Sequence, residues 1–464
     1  MTTTAAGPGR IEHDLIGDIA VPAEALYGAH ARRALLNFPS TGRPWPPRLA
    51  RAFALVKKAA LAVNLELGFV PKEDADAIGL ACDELAEGAL DRHLVVDPLS
   101  GGAGTSLNMN VNEVLANRAN QILGQPLGLY RPIHPNDTVN RGQSTNDVFP
   151  TAVRVAALWA LNELEMRLAA LQAAFQEKER QFADVTMVGR TELQDAVPMT
   201  AGQLVASWAE AVARDRWRVF KCAERLKVVN LGGTAIGTGI GAPRRFIFRA
   251  VEALRQLTGL PLARAENLVE ATSNQDALVE ADGILEAAAA NLLKIANDLR
   301  LLSMSPIGEL TLPPMQAGSS IMPGKVNPVI PEYVAQLALE TMAGHQALVA
   351  AVSQGNLQLS QYFPLAAWHL LDNLRLLDNA ARALVERLLP DLAVDAARCR
   401  EHLSRSLSVA AVFVPKIGYE KAQEAVALAG REGLTLSEAL ARFGVSEAEI
   451  AEALSPARLR RLGE

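Results

Sequence analysis

The stretch of this sequence that is best suited to chemistry is residues 318–328, which read GSSIMPGKVNP. Its glycines and prolines interrupt helices and strands alike, so it is predicted to be a loop between two helical runs. In such a loop Lys325 could hold a carboxylate and Asn327 could orient it. The hydroxyl of Ser319 or of Ser320 could then reach the atom beside that carboxylate. A flexible Gly/Ser surface loop is the alternative that composition alone would favour.

Two other polar stretches could also bind a small anion. Residues 101–112 (GGAGTSLNMNVN) and residues 142–151 (GQSTNDVFPT) both place Gly, Ser, Thr or Asn before or at the start of a helical segment. Residues of these types cap helix N-termini, where backbone N–H groups without helical partners can hold an anion. An ordinary helix cap without a ligand is the alternative for each stretch.

The three stretches resemble, in the same order, the signature sequences of the aspartase/fumarase superfamily. These lyases eliminate a group across a carbon–carbon bond beside a carboxylate. We call the stretches the first, second and third signatures, in chain order. The resemblance implies that Ser319 is the general base. It also implies that Lys325 and Asn327 bind the substrate carboxylate, and it counts Lys325 among the catalytic residues. It implies that the other substrate contacts of the signatures are Thr105, Ser106, Ser144, Thr145, Asn146 and Ser320.

Residues 189–202 (GRTELQDAVPMTAG) depart from the family pattern, because Glu192 replaces a residue that is His in fumarases and in many aspartases. The resemblance assigns the adjacent Thr191 to substrate binding and pairs position 192 with a carboxylate after the third signature, here Glu332. Two carboxylate groups held so near to each other either share a proton or bind a cation between them. An ammonium or quaternary ammonium leaving group supplies such a cation, so Glu192 is predicted to be catalytic. The alternative is a buried Glu192 bonded to backbone amides.

The sequence alone does not determine which leaving group the enzyme eliminates. Residues 329–336 (VIPEYVAQ) resemble aspartases more than fumarases, which favours elimination of an amine from an aspartate-like amino acid to give fumarate or a similar acid. Loss of trimethylamine from a betaine, as in ergothionase-like relatives, and hydration of fumarate are the alternatives. A catalytically silent relative, like the lens crystallins of this superfamily, is a further alternative that the intact Ser319, Lys325 and Asn327 argue against. Residues 134–137 (HPND) resemble a second anion site of fumarases, or form a surface turn.

The implied reaction needs no cofactor and no metal ion. Residues 230–240 (NLGGTAIGTGI) are rich in glycine, but they do not form the GxGxxG pattern after a strand that a dinucleotide site requires. Cys82, Cys222 and Cys399 are isolated and form neither a metal-binding spacing nor a disulfide framework. We therefore expect neither cofactor nor metal, and the cysteine usage indicates a reducing cytoplasm.

The composition argues against several other functions. The net charge of −6 is modest and is not concentrated in tails, so nothing indicates nucleic-acid binding. No apolar run is long enough to span a bilayer, and residues 1–10 (MTTTAAGPGR) lack the apolar segment of a signal peptide. The sequence thus predicts a cytoplasmic protein whose ligand is a small molecule.

Helices dominate the predicted secondary structure. Half of the residues are apolar and only 5% are aromatic, a composition that suits close-packed helices. Toward the C-terminus, Thr435 with Glu438 and Ser446 with Glu449 form two capping boxes that predict short helices. Residues up to about 46 are predicted to be irregular. One apolar face of a long bundle helix is predicted from Leu285, Ala288, Ala289, Leu292, Ile295, Ala296 and Leu299.

The family resemblance implies a mainly all-α, three-domain fold. The predicted domains are an N-terminal helical domain (1–143), a central long-helix bundle (144–394) and a small C-terminal helical domain (395–464). The resemblance also implies a homotetramer in which each active site takes its three signatures from three different subunits.

Overall fold

The computed structural model describes residues 9–461. Residues 1–8 and 462–464 lie outside the described range. The prediction that the N-terminus is not a signal peptide rests mostly on residues 1–8. The α-helices within this range are α1 (Ala29–Asn37), α2 (Pro47–Glu66), α3 (Lys72–Ala86), α4 (Thr105–Ile122), α5 (Thr145–Gln181), α6 (Ala201–Leu226), α7 (Arg244–Thr258), α8 (Leu268–Ser273), α9 (Asp276–Ser303), α10 (Val329–Ser353), α11 (Phe363–Ala383), α12 (Ala396–Arg405), α13 (Val414–Ile417), α14 (Tyr419–Glu432), α15 (Leu436–Ala441), α16 (Glu447–Ala453) and α17 (Pro456–Leu459).

The β-structure is limited to short paired strands. They are β1 (Gly9–Asp14), β2 (Gly17–Pro22), β3 (Thr186–Thr191), β4 (Gln194–Thr200), β5 (Val228–Val229), β6 (Ala263–Arg264), β7 (Leu310–Thr311) and β8 (Ala393–Val394). The pairs β1–β2, β3–β4 and β7–β8 are antiparallel, and β5–β6 is parallel. The prediction of a mainly all-α fold is confirmed.

The prediction that residues up to about 46 are irregular is wrong, because they contain β1, β2 and α1. The guanidinium of Arg10 on β1 donates to the backbone carbonyls of Pro22 and Tyr27, at 2.9 and 2.8 Å. These bonds join the hairpin to the chain that leads into α1. They connect residues distant in the sequence, so the local pattern of glycines and prolines does not reveal them.

The predicted apolar face of α9 is confirmed. Each of its seven members, from Leu285 to Leu299, is at most 1% exposed. The two capping boxes also form as predicted, at the N-termini of α15 and α16. None of the helices in residues 9–461 is both long enough and apolar enough to cross a membrane.

The chain divides into two compact units. The first unit comprises the residues up to Leu164, together with Arg218–Glu286 and Glu340–Leu376. The second comprises Glu165–Trp217, Ala287–Leu339 and Leu377–Glu464. The helices α5, α6, α9, α10 and α11 each contribute residues to both units. The division into three domains at residues 143 and 394 stays a prediction.

Each unit positions part of the predicted site. In the first unit α2 packs against α3 and α7, and α3 packs against α4. This unit contains the first and second signatures, at the starts of α4 and α5. In the second unit the β3–β4 hairpin packs against α12. This unit contains position 192 in the hairpin and the third signature directly before α10.

Candidate functional site

A cavity of about 440 Å³ in the first unit brings the first and second signatures together. The predicted contacts that line it are Thr105, Ser144, Thr145 and Asn146. The side-chain amides of Asn108, Asn140 and Gln143 also line the cavity, and none of its lining residues in the described chain is ionisable. The volume and the convergent hydroxyl and amide groups suit a small polar molecule. Ser106 is buried and does not line the cavity.

The backbone at the start of α4 requires glycine. Gly104 precedes the helix with a φ of 89°, in the left-handed region. A Cβ atom at this position would lie 2.2 Å from the ring of Phe149. No side chain in residues 9–461 caps this helix. The Thr105 N–H donates to the Gly102 carbonyl at 2.9 Å, and the next N–H groups of the first turn have no side-chain cap.

The start of α5 is fixed by a buried carboxylate that the sequence analysis did not single out. Asp147 accepts hydrogen bonds from the backbone N–H groups of Ser144, Gly232 and Thr234, at 2.9, 3.0 and 2.9 Å. Burial raises the pKa of Asp147 to about 6, and these hydrogen bonds oppose that rise. Asp147 therefore ties the second signature to the glycine-rich segment that contributes Thr234 to the cavity.

We expect Asp147→Ala to lower the free energy of unfolding by about 2–4 kcal/mol, because three backbone N–H groups lose their acceptor in a buried site. Urea denaturation of the purified protein measures this change. Asp137→Ala is the matched control, since it removes an exposed carboxylate near the same region and should leave the unfolding transition nearly unchanged. Equal stability of the two variants would contradict the structural role of Asp147.

The third signature folds into the predicted loop, which is closed at its base. The Gly318 N–H donates to the Lys325 carbonyl at 2.8 Å, and the Asn327 side-chain amide donates to the Gly318 carbonyl at 3.0 Å. A Cβ atom on Gly318 would lie 2.8 Å from the Lys325 oxygen. Glycine at this position therefore permits the close approach that holds the loop together.

Ser319 occupies the position in this loop that best stabilises negative charge. Its Oγ atom accepts hydrogen bonds from the backbone N–H groups of Ile321 and Met322, at 3.1 and 3.0 Å. Donors directed at an oxygen favour its anionic form. Ser320 is exposed, and its hydroxyl has no comparable pair of donors within residues 9–461. The local geometry thus favours Ser319 over Ser320 as a proton acceptor.

Lys325 and Asn327 present complementary groups beside Ser319. The Lys325 side chain is exposed and its ammonium forms no hydrogen bond or ion pair with another residue in the range 9–461. Asn327 uses one N–H to brace the loop, and its carboxamide retains a second N–H and an oxygen. An ammonium group and an amide N–H are both donors that bind a carboxylate.

Glu192 lies at the tip of the β3–β4 hairpin, not in a buried site. Glu192 and Leu193 form the two-residue turn between Thr191 and Gln194, with φ values of 53° and 63°. Side chains other than those of Gly, Asn and Asp rarely adopt this left-handed backbone, and such strain concentrates at functional sites. Glu192 is exposed in the single chain and forms no hydrogen bond to a backbone amide within residues 9–461.

The hairpin that carries Glu192 is anchored by a second buried carboxylate. Glu309 is fully buried and accepts two parallel hydrogen bonds from the Arg190 guanidinium, at 2.6 and 2.8 Å. It also contacts His402 on α12, at 2.7 Å.

Glu332 lies in the first turn of α10 and is half-buried. The structure records no contact between Glu192 and Glu332 within the described chain, so their pairing stays a prediction.

The turn at residues 134–137 is satisfied internally. The Nδ1 atom of His134 accepts hydrogen bonds from the backbone N–H groups of Asn136 and Asp137, both at 3.2 Å. These are the N–H groups that an anion at this turn would use. The geometry therefore favours the interpretation as a surface turn.

The described residues contain no group of three or more His, Cys, Asp or Glu side chains arranged to hold a metal ion. Cys82, Cys222 and Cys399 are separate, buried thiols. The absence of a cofactor or metal requirement stays a prediction. The cavity of the first unit offers hydroxyl and amide groups, and the third signature in the second unit offers a hydroxyl, an amide and the exposed ammonium of Lys325.

Comparisons with known proteins agree with this chemistry. Residues 17–343 match the model of a protein family described as "Lyase". Aspartate ammonia-lyase of Pseudomonas aeruginosa is 44% identical over 454 residues, 96% of each chain. The class II fumarate hydratase of Myxococcus xanthus is 42% identical over 440 residues, 94% of each chain.

Solved structures show the same fold. A fumarate lyase:delta crystallin from Brucella melitensis, solved with bound cobalt, superposes with a TM-score of 0.93 at 43% identity. That match covers 98% of this chain and 100% of the other. A class II fumarase from Schistosoma mansoni gives a TM-score of 0.91 at 32% identity, covering 97% of this chain and 98% of the other.

Proposed function

Because the chain belongs to this lyase family, the aspartase/fumarase superfamily, we propose that it is a carbon–nitrogen lyase that eliminates ammonia from aspartate or a close amino acid. The product is fumarate or a similar unsaturated acid. The observation that carries the proposal is the pair of backbone N–H groups directed at Ser319 Oγ. A serine whose oxygen is stabilised as an anion can remove a weakly acidic proton from carbon.

In the proposed reaction Ser319 takes the proton from the carbon next to a carboxylate. The C–H electron pair forms the carbon–carbon double bond, and the C–N bond of the neighbouring carbon breaks to release the amine. Negative charge develops on the carboxylate beside the attacked carbon, and preorganised donors such as Lys325 and Asn327 stabilise it. The hydroxyl groups of Thr105 and Thr145 suit the other carboxylate.

The substrate contacts are proposed to come together in an oligomer. The family resemblance supports a cytoplasmic homotetramer whose active sites each combine signatures from three subunits. Large apolar side chains are exposed in the single chain, among them Trp217 at 63%, Phe248 at 53% and Leu193 at 74%. Obligate oligomers bury such surface between subunits.

The proposed activity is tested by incubating the purified protein with aspartate, malate, argininosuccinate and betaine substrates. Absorbance of the unsaturated product reports elimination, and amine release identifies the leaving group. We expect aspartate or a close amino acid to be turned over with release of ammonia. Robust dehydration of malate, with no amine released from any substrate, would overturn the proposal.

Fumarate hydratase is the second candidate. The class II fumarate hydratase of Myxococcus xanthus is nearly as similar to this chain as the aspartate ammonia-lyase. A hydroxyl leaving group must be protonated as it departs. An ammonium group departs without this help, so a carboxylate at position 192 in place of histidine favours the amine.

Glu192→Gln tests the proposed role of this carboxylate. We expect the KM for the amine substrate to rise and kcat/KM to fall, since the variant loses the negative charge that attracts the ammonium group. The fold should be retained, because the side chain is exposed and forms no hydrogen bond or ion pair within residues 9–461. Steady-state kinetics and the thermal transition measure the two effects. Unchanged kcat/KM would exclude Glu192 from the reaction.

Mixing inactive variants tests the shared active sites. A Thr105 variant and a Ser319 variant, each inactive alone, should regain activity after they are dissociated and reassembled together. The reason is that some sites then receive intact signatures from different subunits. Size-exclusion chromatography should show a tetramer. A fully active monomer would contradict the proposal.

A further inference from the structure

A buried lysine that the sequence analysis did not single out donates hydrogen bonds to two residues that line the cavity of the first unit. Lys57 on α2 is 1% exposed. Its ammonium donates to Asn140 Oδ1 at 2.9 Å and to Gln143 Oε1 at 3.1 Å. Both amides line the cavity. An ammonium group has donors and no acceptor, so it fixes each amide with its oxygen toward the lysine.

The orientation of Asn140 determines that of the next amide. Asn140 Oδ1 also accepts a hydrogen bond from Asn108 Nδ2 at 3.3 Å. The same nitrogen donates to Thr145 Oγ1 at 3.1 Å. Because Thr145 Oγ1 is an acceptor in this bond, its hydroxyl hydrogen remains for another acceptor. A carboxylate in the cavity offers only acceptors.

The reverse arrangement would direct the hydroxyl away from a ligand. If the Asn108 amide were rotated, its oxygen would accept the Thr145 hydrogen, and the donor for a carboxylate would be lost. Lys57 disfavours this rotation. Its ammonium holds Asn140 Oδ1 as an acceptor, so the Asn108 atom that faces this oxygen must be the nitrogen, which donates. Lys57 and Asn108 thus both donate to Asn140 Oδ1, and Asn108 also donates to Thr145 Oγ1.

Lys57 is also the cation that contacts this otherwise uncharged lining. Burial lowers the pKa of Lys57 to about 7, and the negative charge of Asp147 opposes the decrease. Asp147 has a pKa of about 6, and the Cys82 thiol, with a pKa of about 12, stays protonated near neutral pH. As the pH rises through about 7, the amine of Lys57 becomes neutral and gains an acceptor. The constraint on the amides then weakens.

We infer that Lys57 is a positioning residue that, through the cavity amides, directs the Thr145 hydroxyl hydrogen toward a bound carboxylate. The inference rests on the proposed function, in which Thr145 contacts a carboxylate of the substrate. Lys57 itself does not touch the substrate. Its effect is on substrate binding, and it acts through Asn140 and Asn108.

A double-mutant cycle tests this inference in the full-length enzyme. The probe is succinate, a saturated dicarboxylate that cannot undergo the elimination, with its Kd measured by calorimetry. We expect Lys57→Met to raise this Kd and the KM for aspartate about tenfold, with a smaller change in kcat. In a Thr145→Val background the same change should raise the Kd less than about threefold, because the hydroxyl it orients is absent. Independent effects that simply multiply would overturn the inference.

Lys178→Met is the matched control for loss of a buried lysine. Lys178 is 8% exposed and donates to the backbone carbonyls of Pro390 and Leu392 in the second unit. This variant should lose stability but keep the wild-type Kd for succinate. Equal increases in Kd in both lysine variants would indicate a general loss of structure and would refute a specific role for Lys57.

The pH dependence of the unmodified enzyme gives a test that needs no variant to fold. The Kd for succinate should increase as the pH rises through about 7, as Lys57 loses its proton. Ionisation of Asp147 contributes at lower pH, near 6. A Kd that stays constant through this range overturns the inference. If the enzyme shows the expected binding behaviour but releases no amine from any substrate, the proposed function fails and the role of Lys57 in carboxylate binding stands.

Discussion

Ser319→Ala is expected to reduce kcat by about 10²–10⁴-fold, the usual effect of removing a positioned general base. The fold should be retained, because the side chain is in a loop and its two hydrogen bonds are to N–H groups of the same loop. Steady-state kinetics with the amino-acid substrate measure the loss. Circular dichroism and size-exclusion chromatography check the fold and the oligomer.

Ser320→Ala is the matched control for this experiment. It removes the neighbouring hydroxyl, which is exposed and lacks the two backbone donors. We expect a much smaller change in kcat than for Ser319→Ala. If Ser319→Ala kept near-normal kcat and Ser320→Ala did not, Ser320 would be the base and the hydrogen bonds to Ser319 would serve only the loop.

Lys325→Met is expected to abolish productive substrate binding without unfolding the enzyme. An ammonium–carboxylate hydrogen bond is among the strong polar interactions, and Lys325 forms no ion pair within residues 9–461 that would compete for its charge. The effect should therefore appear as an increase in KM of at least about tenfold and a corresponding loss of kcat/KM. Substrate titration over a wide concentration range measures both quantities.

Lys421→Met on α14 is the control for the loss of one exposed positive charge. It should leave KM and kcat at their wild-type values. An unchanged KM in Lys325→Met would remove this residue from the substrate-binding set. The carboxylate would then depend on Asn327 and on the hydroxyl groups of the first and second signatures.

The sequence by itself determined those features that depend on local patterns. The glycines and prolines of the third signature exclude helix and strand, so its loop was predictable without a structure. The helical spacing from Leu285 to Leu299 specified the buried face of α9, and the boxes at Thr435 and Ser446 specified two helix starts. The same capping logic singled out the first and second signatures, and the family resemblance selected Thr105, Ser144, Thr145 and Asn146 within them, which the structure brings to one cavity.

The tertiary structure alone decided which buried charges support these residues. Lys57 and Asp147 lie within helical stretches where a lysine or an aspartate ordinarily faces solvent, and their partners come from other segments of the chain. Only the packing of α2 and the folding of the glycine-rich segment bring those partners within hydrogen-bond distance.

The location of Glu192 was decided in the same way. The sequence allowed a buried residue or a catalytic one, and the pairing of β3 with β4 placed it at an exposed turn. The register of the local β3–β4 hairpin sets that turn, and the anchor from Arg190 to Glu309 joins it to a residue more than a hundred positions away. A local pattern carries no information on such contacts, because their geometry depends on how distant segments pack.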